Sequence, residues 1–245
     1  KGYAEADPTA DIGGFDAARK IAILASIAFN SRVGLENVHV EGIEKITAED
    51  IACAKELGYV IKLLAIAKEN GGGISLRVHP TFISTHHPLA SVNDVFNAIF
   101  IKGHAVGETM FYGRGAGEMP TASAIAADII DTARDIQNNT SGSILCTCYN
   151  EKPIKPIGTT ESAYYIRLLV EDVPGAFATL AAAFGSNKVS LYSVIQKRKV
   201  GTLAEIVLIT HNIMHSNVES AINEIREMSI VNKVCNVIRV EGEKA

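Results

Sequence analysis

Acidic side chains and one lysine are concentrated in the first twenty residues of the chain. The carboxylates are Glu5, Asp7, Asp11 and Asp16. Lys20 follows Asp16 by four residues, so a helix that begins near Asp16 carries both side chains on one face. A lysine that is partly buried beside a carboxylate can pass a proton to or from a substrate oxygen. The same spacing is typical of surface ion pairs worth about 0.3–0.5 kcal/mol, and spacing alone favours that interpretation.

The loop before this helix shifts the balance towards a binding site. Gly13 and Gly14 let the chain fold back, so several carboxylates can face the start of the helix, which attracts anions. Asp7 is also a common turn former and Asp11 a common helix cap, whereas Glu5 has no local role. Carboxylates that face a lysine form a pocket for a small molecule bearing an ammonium and a hydroxyl group. The predicted ligand is an amino alcohol or an amino aldehyde.

The composition is that of a globular protein without a nucleic-acid or membrane surface. The chain has 245 residues, of which 47% are hydrophobic and 20% charged, and its formal net charge is −4. An acidic balance without basic runs argues against both partners. The four cysteines match no zinc or redox spacing, so we expect reduced thiols in a cytoplasmic protein. His79 and His87 lack a second ligand at metal spacing, and we assign no metal site.

Two bodies joined by a short link are predicted. The first covers residues 1–150, the link with two prolines and a glycine covers 151–161, and the second covers 162–245. The second body reads β-α-β-β-α-β, and Ser216 with Glu219 has the spacing of a capping box at the start of its second helix. The first body mixes helices with extended segments. The predicted fold class is α/β (α+β), with a mixed sheet followed by a ferredoxin-like βαββαβ body.

The helix predicted over residues 16–31 is apolar on nearly every face. Ile23, Leu24 and Ile27 share the stripe of Asp16 and Lys20. A helix of this composition is expected to be buried. Burial would draw Lys20 at least partly out of water, where a neighbouring carboxylate keeps the ammonium charged.

The opening run, GYAEADPTADIGGFDAARK, resembles the signature of the homoserine dehydrogenase family, G-[YF]-A-E-x-[DN]-P-x-x-D-[LI]-x-G-x-D-x-x-x-K, at every fixed position. Later blocks of the chain resemble that family's blocks in the same order: RVHPT (77–81), HPLASV (87–92), NAI (97–99), GRGAG (113–117) and PTASA (120–124). The resemblance covers nearly all of residues 1–140.

The resemblance implies specific roles and a reaction. Lys20 matches the family's general acid/base, Asp16 and Glu5 match carboxylates that hold homoserine, and Asp11 matches an aspartate that orders the site. The implied reaction interconverts homoserine and aspartate semialdehyde with NAD or NADP, on the route to threonine and methionine. It also implies a dinucleotide-binding domain ahead of the signature, so the chain is expected to be the C-terminal fragment of such an enzyme, inactive alone.

The glycine-rich loop at residues 113–117 has two interpretations. Its glycines fail the G-x-G-x-x-G spacing of a dinucleotide fingerprint, because Glu118 stands where the third glycine is required. The family resemblance implies that the loop approaches the nicotinamide, which makes Gly115, Ala116 and Thr121 candidate cofactor contacts. A glycine turn needed only for close helix packing explains the loop about as well.

The second body resembles an ACT domain, a small module that senses amino acids. The stretch LLVEDVPGAF (168–177) carries the D-x-P-G turn between its first strand and helix. The resemblance implies that Asp172 and Gly175 contact an effector such as threonine across a dimer interface, although Pro174 and Gly175 also serve simply to start a helix. A second functional hypothesis follows, in which the chain alone is a non-catalytic amino-acid-binding module. The expected assembly is a homodimer or homotetramer.

Overall fold

The structure is a computed structural model that describes residues 7–140, 142 and 145–242. The helices are α1 (Thr9–Ile12), α2 (Phe15–Ala28), α3 (Ala48–Glu56), α4 (Glu118–Gln137), α5 (Ala176–Ser186) and α6 (His215–Arg226). The strands are β1 (His39–Val40), β2 (Tyr59–Asn70), β3 (Gly73–Ser84), β4 (Phe96–Gly103), β5 (Gly107–Arg114), β6 (Glu161–Glu171), β7 (Leu191–Val200), β8 (Leu203–Thr210), β9 (Ile213–Met214) and β10 (Val231–Glu241).

One mixed sheet runs through both halves of the chain. Its strand order is β1-β3-β10-β6-β8-β7, β2 pairs with β3, and β9 pairs with β6. Both β1 and β10 run parallel to β3, and the other pairs are antiparallel. Strands β4 and β5 form a separate antiparallel ribbon. The predicted fold class, a mixed sheet followed by a βαββαβ unit, is confirmed. The pairing of β10 with β3, which joins the halves into one sheet, was not predicted.

Helices cover the two faces of the sheet in different places. Helices α5 and α6 pack on β6, β8 and β10, with Leu180, Phe184 and Ile225 among the buried side chains. Helix α2 packs on β3 through alanines. Helix α3 covers the opposite face of the βαββαβ unit, where Cys53 and Ala54 contact Tyr165 and neighbouring side chains. Strands β6, β8 and β10 are therefore covered by α5 and α6 on one face and by an element of the first half on the other, whereas β7 remains largely exposed.

The burial predicted for α2 is wrong. The helix buries Ala18, Ala22 and Ala25, while Ile23 and Ile27 are 63% and 62% exposed. Small side chains at this spacing let the helix backbone approach β3 closely, so the isoleucine stripe faces outwards. Lys20 lies on the outward side, and its side chain is 65% exposed.

The predicted capping box at Ser216 is also wrong. Helix α6 begins at His215, its N-cap is Met214, and no side chain caps it. The His215 N–H instead donates to the carbonyl of Thr160 at 2.9 Å. A tertiary hydrogen bond thus satisfies a donor that a cap would otherwise satisfy.

The segment predicted as a link lies along the β2–β3 hairpin. The Ile74 N–H donates to the Pro153 carbonyl at 2.9 Å, and the Lys155 N–H donates to the Ile74 carbonyl at 2.8 Å. The Lys152 ammonium pairs with Glu69 at 2.6 Å. These contacts fix the path of the chain between the halves. Among the described residues, the helices are too short or too polar for any of them to cross a bilayer.

Candidate functional site

The start of α2 is built by a glycine turn. Gly14 is the N-cap with φ of +79°, a conformation that disfavours other residues. A Cβ atom at this position would lie 3.0 Å from Val78 Cγ1, so the turn sits directly on β3. The preceding α1 is short, and Asp7 accepts hydrogen bonds from the Thr9 N–H at 3.0 Å and the Thr9 hydroxyl at 2.5 Å. These bonds from Thr9 lower the pKa of the Asp7 carboxyl. Asp7 therefore serves as a turn former.

Asp16 and Lys20 are brought together as predicted. The Lys20 Nζ lies 2.6 Å from Asp16 Oδ2, and the two side chains are 65% and 42% exposed. A pair this exposed is open to a ligand. Asp11 is also exposed, on α1, and its carbonyl accepts the Gly14 N–H at 3.1 Å. Glu5 lies outside the described residues. The outer surface of α1 and α2 thus carries two of the predicted carboxylates and the lysine.

The loop between β5 and α4 contains the predicted cofactor contacts. Gly115 and Ala116 are exposed, and the Gly115 N–H donates to the Val95 carbonyl at 3.3 Å. The Asn97 side chain of β4 lies over Gly115, since a Cβ atom there would come within 1.8 Å of Asn97 Nδ2 and would require that side chain to move. Helix α4 has no side-chain cap, and the exposed Thr121 donates its N–H to Gly117.

Exposed glycine backbone beside an uncapped helix start fits a polar, uncharged or anionic group of a ligand. Among the described residues, no hydrogen bond or ion pair connects this loop with Lys20.

A pocket of about 230 Å³ lies at the start of α5. It is lined by Val170, Glu171, Asp172, Val173, Gly175, Ala176, Phe177, Ala178, Gln196, Ala204 and Ile206. Gly175 caps α5 with φ of +87°, and the Asp172 carboxylate pairs with Lys199 at 3.1 Å. The lining combines an apolar wall with two acidic residues, Glu171 and Asp172, and exposed turn backbone, which suits a small amino acid. Both predicted effector residues, Asp172 and Gly175, border this pocket.

The two predicted structural histidines pack within the protein. His79 is fully buried, and its Nδ1 lies 3.0 Å from the Pro80 carbonyl. Burial, together with the charge of Arg239, lowers the pKa of His79 to about 3, so the imidazole is neutral at pH 7. His87 accepts the Leu89 N–H through Nδ1 and packs against Phe100. Within the described part of the chain, no group of three or more potential metal ligands is present.

A buried ionic cluster between α3 and the βαββαβ unit was not predicted from the sequence. The Arg167 Nε donates to Asp50 Oδ1 at 2.8 Å, and Nη1 donates to Glu205 at 3.1 Å. Burial alone would raise the pKa of Asp50, but hydrogen bonds from Arg167 and Asn236 lower it. Arg167 and Glu205 interrupt otherwise apolar strand sequences, IRLLV and LAEIVLI. Opposite charges at inward positions of two strands are the sequence signal from which this cluster could have been predicted.

Both halves of the chain match known protein families. The homoserine dehydrogenase family matches residues 1–130, and the ACT domain family matches residues 164–229. Homoserine dehydrogenase of Synechocystis is 46% identical over 98% of this chain, which covers 57% of that relative. The crystal structure of a homoserine dehydrogenase from Thiobacillus denitrificans has a TM-score of 0.90 at 40% identity, over 97% of this chain and 55% of that one. The crystal structure of S. aureus homoserine dehydrogenase at pH 7.5 has a TM-score of 0.71 at 32% identity, over 99% of this chain and 56% of that one.

Proposed function

The chain belongs to the homoserine dehydrogenase family, and we propose that it forms the substrate-binding half of an enzyme that interconverts L-homoserine and L-aspartate 4-semialdehyde. Such an enzyme serves threonine and methionine biosynthesis in the cytoplasm. The observation that carries the proposal is the exposed Asp16–Lys20 pair, 2.6 Å apart, on the helix that follows the carboxylate-bearing loop. The chain spans about 57% of the length of the relatives it matches, so the reaction is assigned to the full-length protein.

Lys20 moves the proton in this proposal. In the reducing direction, the Lys20 ammonium donates a proton to the aldehyde oxygen as it becomes the hydroxyl of homoserine. In the oxidising direction, the neutral amine takes the hydroxyl proton back. Asp16 fixes the ammonium at 2.6 Å, so the proton is presented from a defined position. The exposure of both side chains leaves room for a substrate against them.

The acidic residues bind the substrate's ammonium group. Asp11 and Asp16 carry the negative charge on the described surface of α1 and α2, and Glu5 adds a third carboxylate by resemblance to the family. A carboxylate set binds an amino acid through its ammonium and leaves the side-chain hydroxyl towards Lys20. This arrangement favours an amino alcohol over a simple alcohol.

The exposed backbone of Gly115 and Ala116, with Thr121, would hold the nicotinamide end of NAD or NADP. The nicotinamide ring supplies hydride transfer when bound. The adenine half belongs, by resemblance, to a dinucleotide-binding domain outside these residues. On this basis the 245 residues alone would not turn over homoserine.

The pocket at the start of α5 is the proposed effector site. Asp172 meets the ammonium of a bound amino acid and the Gly175 turn meets its carboxylate, with threonine as the proposed ligand. The volume of about 230 Å³ suits a small amino acid. The proposed assembly is a homodimer or homotetramer. In the second hypothesis, in which the isolated chain acts only as an amino-acid-binding module, this pocket is the sole functional site.

The catalytic proposal is tested by homoserine-dependent reduction of NAD and NADP in the full-length protein. Lys20→Ala is expected to lower kcat by about three decades with little change in KM, because it removes a group used in the transition state. Arg19→Ala, which removes the adjacent exposed cation, is the matched control and is expected to retain near-native kcat. Near-native turnover of Lys20→Ala would make the pair structural and move the proton transfer elsewhere.

The effector proposal is tested by the shift in melting temperature on adding threonine, since a ligand that binds only the folded state raises stability. Ala178→Phe places a ring into the pocket and is expected to abolish the shift. Ala182→Phe, on an exposed face of α5 outside the pocket, is expected to retain it. If wild type shows no shift with threonine, or if both variants respond equally, the pocket is not the threonine site.

A further inference from the structure

The segment before α2 rests on the connection Glu41–Ile43, which leads from β1 into the hydrogen-bonded turn at Ile43–Ile46 and is called the 41–43 turn below. The Ile43 N–H donates to the Ile12 carbonyl at 2.8 Å. A Cβ atom at Gly42 would lie 2.6 Å from the same oxygen, so the backbone of the turn is pressed against Ile12. Ile12 directly follows Asp11. The position of α1, which carries Asp11, therefore depends on where this turn is held.

Glu41 anchors the turn through both its backbone and its carboxylate. Its N–H donates to the Val78 carbonyl of β3 at 2.8 Å. Its Oε1 lies 2.6 Å from His39 Nε2 and 2.7 Å from Arg239 Nη1. Burial alone would raise the pKa of Glu41, but the contacts with His39 and Arg239 lower it to about 2. The carboxylate is consequently charged at neutral pH.

Arg239 reaches Glu41 from the last strand of the chain. It is 3% exposed, and its guanidinium lies 5.8 Å from the centre of the Tyr164 ring. Its Nη2 lies 3.5 Å from His215 Nδ1, which also lies 2.9 Å from the Tyr164 hydroxyl. Two residues of the βαββαβ unit thus hold the arginine, and the arginine holds Glu41. Strand β1 ends opposite Val78 and β10 begins its pairing with β3 at Thr81, which brings the two side chains together.

We propose that the Arg239–Glu41 ion pair is a positioning device. It holds the 41–43 turn against Ile12 and so fixes α1, whose Asp11 is one of the carboxylates proposed to bind the substrate. The inference rests on the proposed function, because it assigns Asp11 and its neighbours to homoserine. In this arrangement the C-terminal strand of the regulatory half sets the geometry of the substrate site in the other half. Neither residue touches the substrate.

A purely structural ion pair predicts a different outcome from a positioning pair. Loss of a structural pair lowers the melting temperature and the fraction of folded enzyme, but the folded remainder keeps its KM. Loss of a positioning pair displaces the substrate carboxylates and raises KM in fully folded protein. The two readings are therefore separated by kinetics on material whose folded fraction is known.

The experiment compares Glu41→Gln, Arg239→Gln and the double variant in the full-length protein. Each single variant is expected to raise KM for homoserine about tenfold, with kcat changed by less than about threefold, because binding groups are misplaced while Lys20 is intact. The double variant is expected to match the worse single variant within about twofold, since both changes break the same contact. Arg239→Lys, which retains one cationic donor, is expected to restore part of the affinity.

Arg198→Gln is the matched control. It makes the same substitution in another arginine that pairs with a glutamate of the sheet, Glu205 at 2.8 Å, away from the 41–43 turn. Its KM is expected to equal that of wild type. If Arg239→Gln does not fold, Glu41→Gln carries the test, because it retains the shape of the side chain and every other contact of Arg239.

Unchanged KM in folded Glu41→Gln or Arg239→Gln overturns the proposal, as does a double variant whose KM increase is the product of the single increases. Failure of the proposed function looks different. In that case wild type itself does not oxidise homoserine with either nicotinamide cofactor, and no KM is measured for any variant.

Discussion

Two ion pairs of similar length, one at the junction of the halves and one on α2, occupy opposite environments. Arg167 and Asp50 are 2.8 Å apart with side chains 7% and 0% exposed. Lys20 and Asp16 are 2.6 Å apart with side chains 65% and 42% exposed. The buried pair is closed to ligands, and each partner is costly to remove. The exposed pair contributes little to stability and is open to a substrate. Contact distance alone therefore does not distinguish an ion pair that is closed to ligands from one that is open to them.

The largest expected loss of stability comes from a substitution that breaks the buried Arg167–Asp50 pair. Arg167→Met leaves Asp50 and Glu205 in the interior without their shared partner, and it is expected to lower the free energy of unfolding by about 3–5 kcal/mol. Equilibrium unfolding in urea at pH 7 measures the loss. Arg198→Met, which removes an exposed arginine from the same glutamate, is the control and should cost far less. A loss below about 1 kcal/mol for Arg167→Met would remove the contrast between the two pairs.

The buried histidine His79 extends the comparison between buried and exposed charges, because it makes the stability of the folded protein depend on pH. The pKa of His79 is about 3 in the folded protein, well below the usual 6.5, so between these values the unfolded chain binds the proton and the folded chain does not. Stability is therefore lost as pH falls from 6.5 towards 3, by at most about 1.4 kcal/mol per pH unit from this residue. Over pH 7 to 5, the range of the measurement below, the expected loss is about 2 kcal/mol.

Unfolding free energies of wild type and His79→Gln across pH 7 to 5 check this expectation. The variant should show the shallower decline, because it has no imidazole to protonate at that position. His86→Gln, which removes an exposed histidine from the adjacent loop, should follow the wild-type curve. Parallel curves for wild type and His79→Gln would show that burial of this histidine does not govern the acid response.

Gly175 borders a candidate binding pocket and also has a left-handed backbone conformation, which glycine adopts freely and residues with a Cβ atom do not. With φ of +87°, Gly175→Ala is expected to cost about 1 kcal/mol. Gly185→Ala, within the same helix and with free space around the added methyl group, is expected to stabilise by about 0.5–1 kcal/mol. Thermal unfolding of the two variants gives shifts of opposite sign. Stabilisation of Gly175→Ala would contradict the turn geometry.

The smallest expected effect concerns the exposed pair itself. Lys20→Gln is expected to change the free energy of unfolding by less than about 0.5 kcal/mol, because an exposed pair four residues apart on a helix contributes little. Urea unfolding of the full-length protein, run beside the kinetic assay, provides the measurement. A loss above about 1 kcal/mol would place Lys20 with Arg167 among the structural cations.

Most elements of the fold were accessible from the sequence because their periodicity is strong. The βαββαβ order of the second half was correct, and the helix predicted over residues 16–31 is observed at Phe15–Ala28. The direction in which α2 faces was not accessible, because alanine and isoleucine stripes both satisfy a helical period. The choice between them depends on how closely β3 approaches, which is a tertiary property. The predicted capping box of α6 was wrong for a similar reason, because the Thr160 carbonyl accepts the His215 N–H and no side-chain cap is present.

The candidate site was accessible only in its local parts. Asp16 and Lys20 are four residues apart, so their contact follows from helix geometry. The support from Glu41 and Arg239 joins residues 198 positions apart. No local pattern reports such a contact, because it depends on the path of β10 beside β3. The roles of Asp11, Gly115, Asp172 and the other predicted site residues remain proposals.

The pairing of β10 with β3 also constrains how the chain is made. Strand β3 ends at Ser84, whereas its partner ends at Glu241, so the ribosome adds roughly 160 residues before this edge can be completed, which takes about 8–30 s at typical synthesis rates. During that interval part of one edge of β3 is open to pairing with other nascent chains. Translation speed and chaperone supply, rather than the stability of the finished sheet, are then expected to limit the yield of native protein in cells.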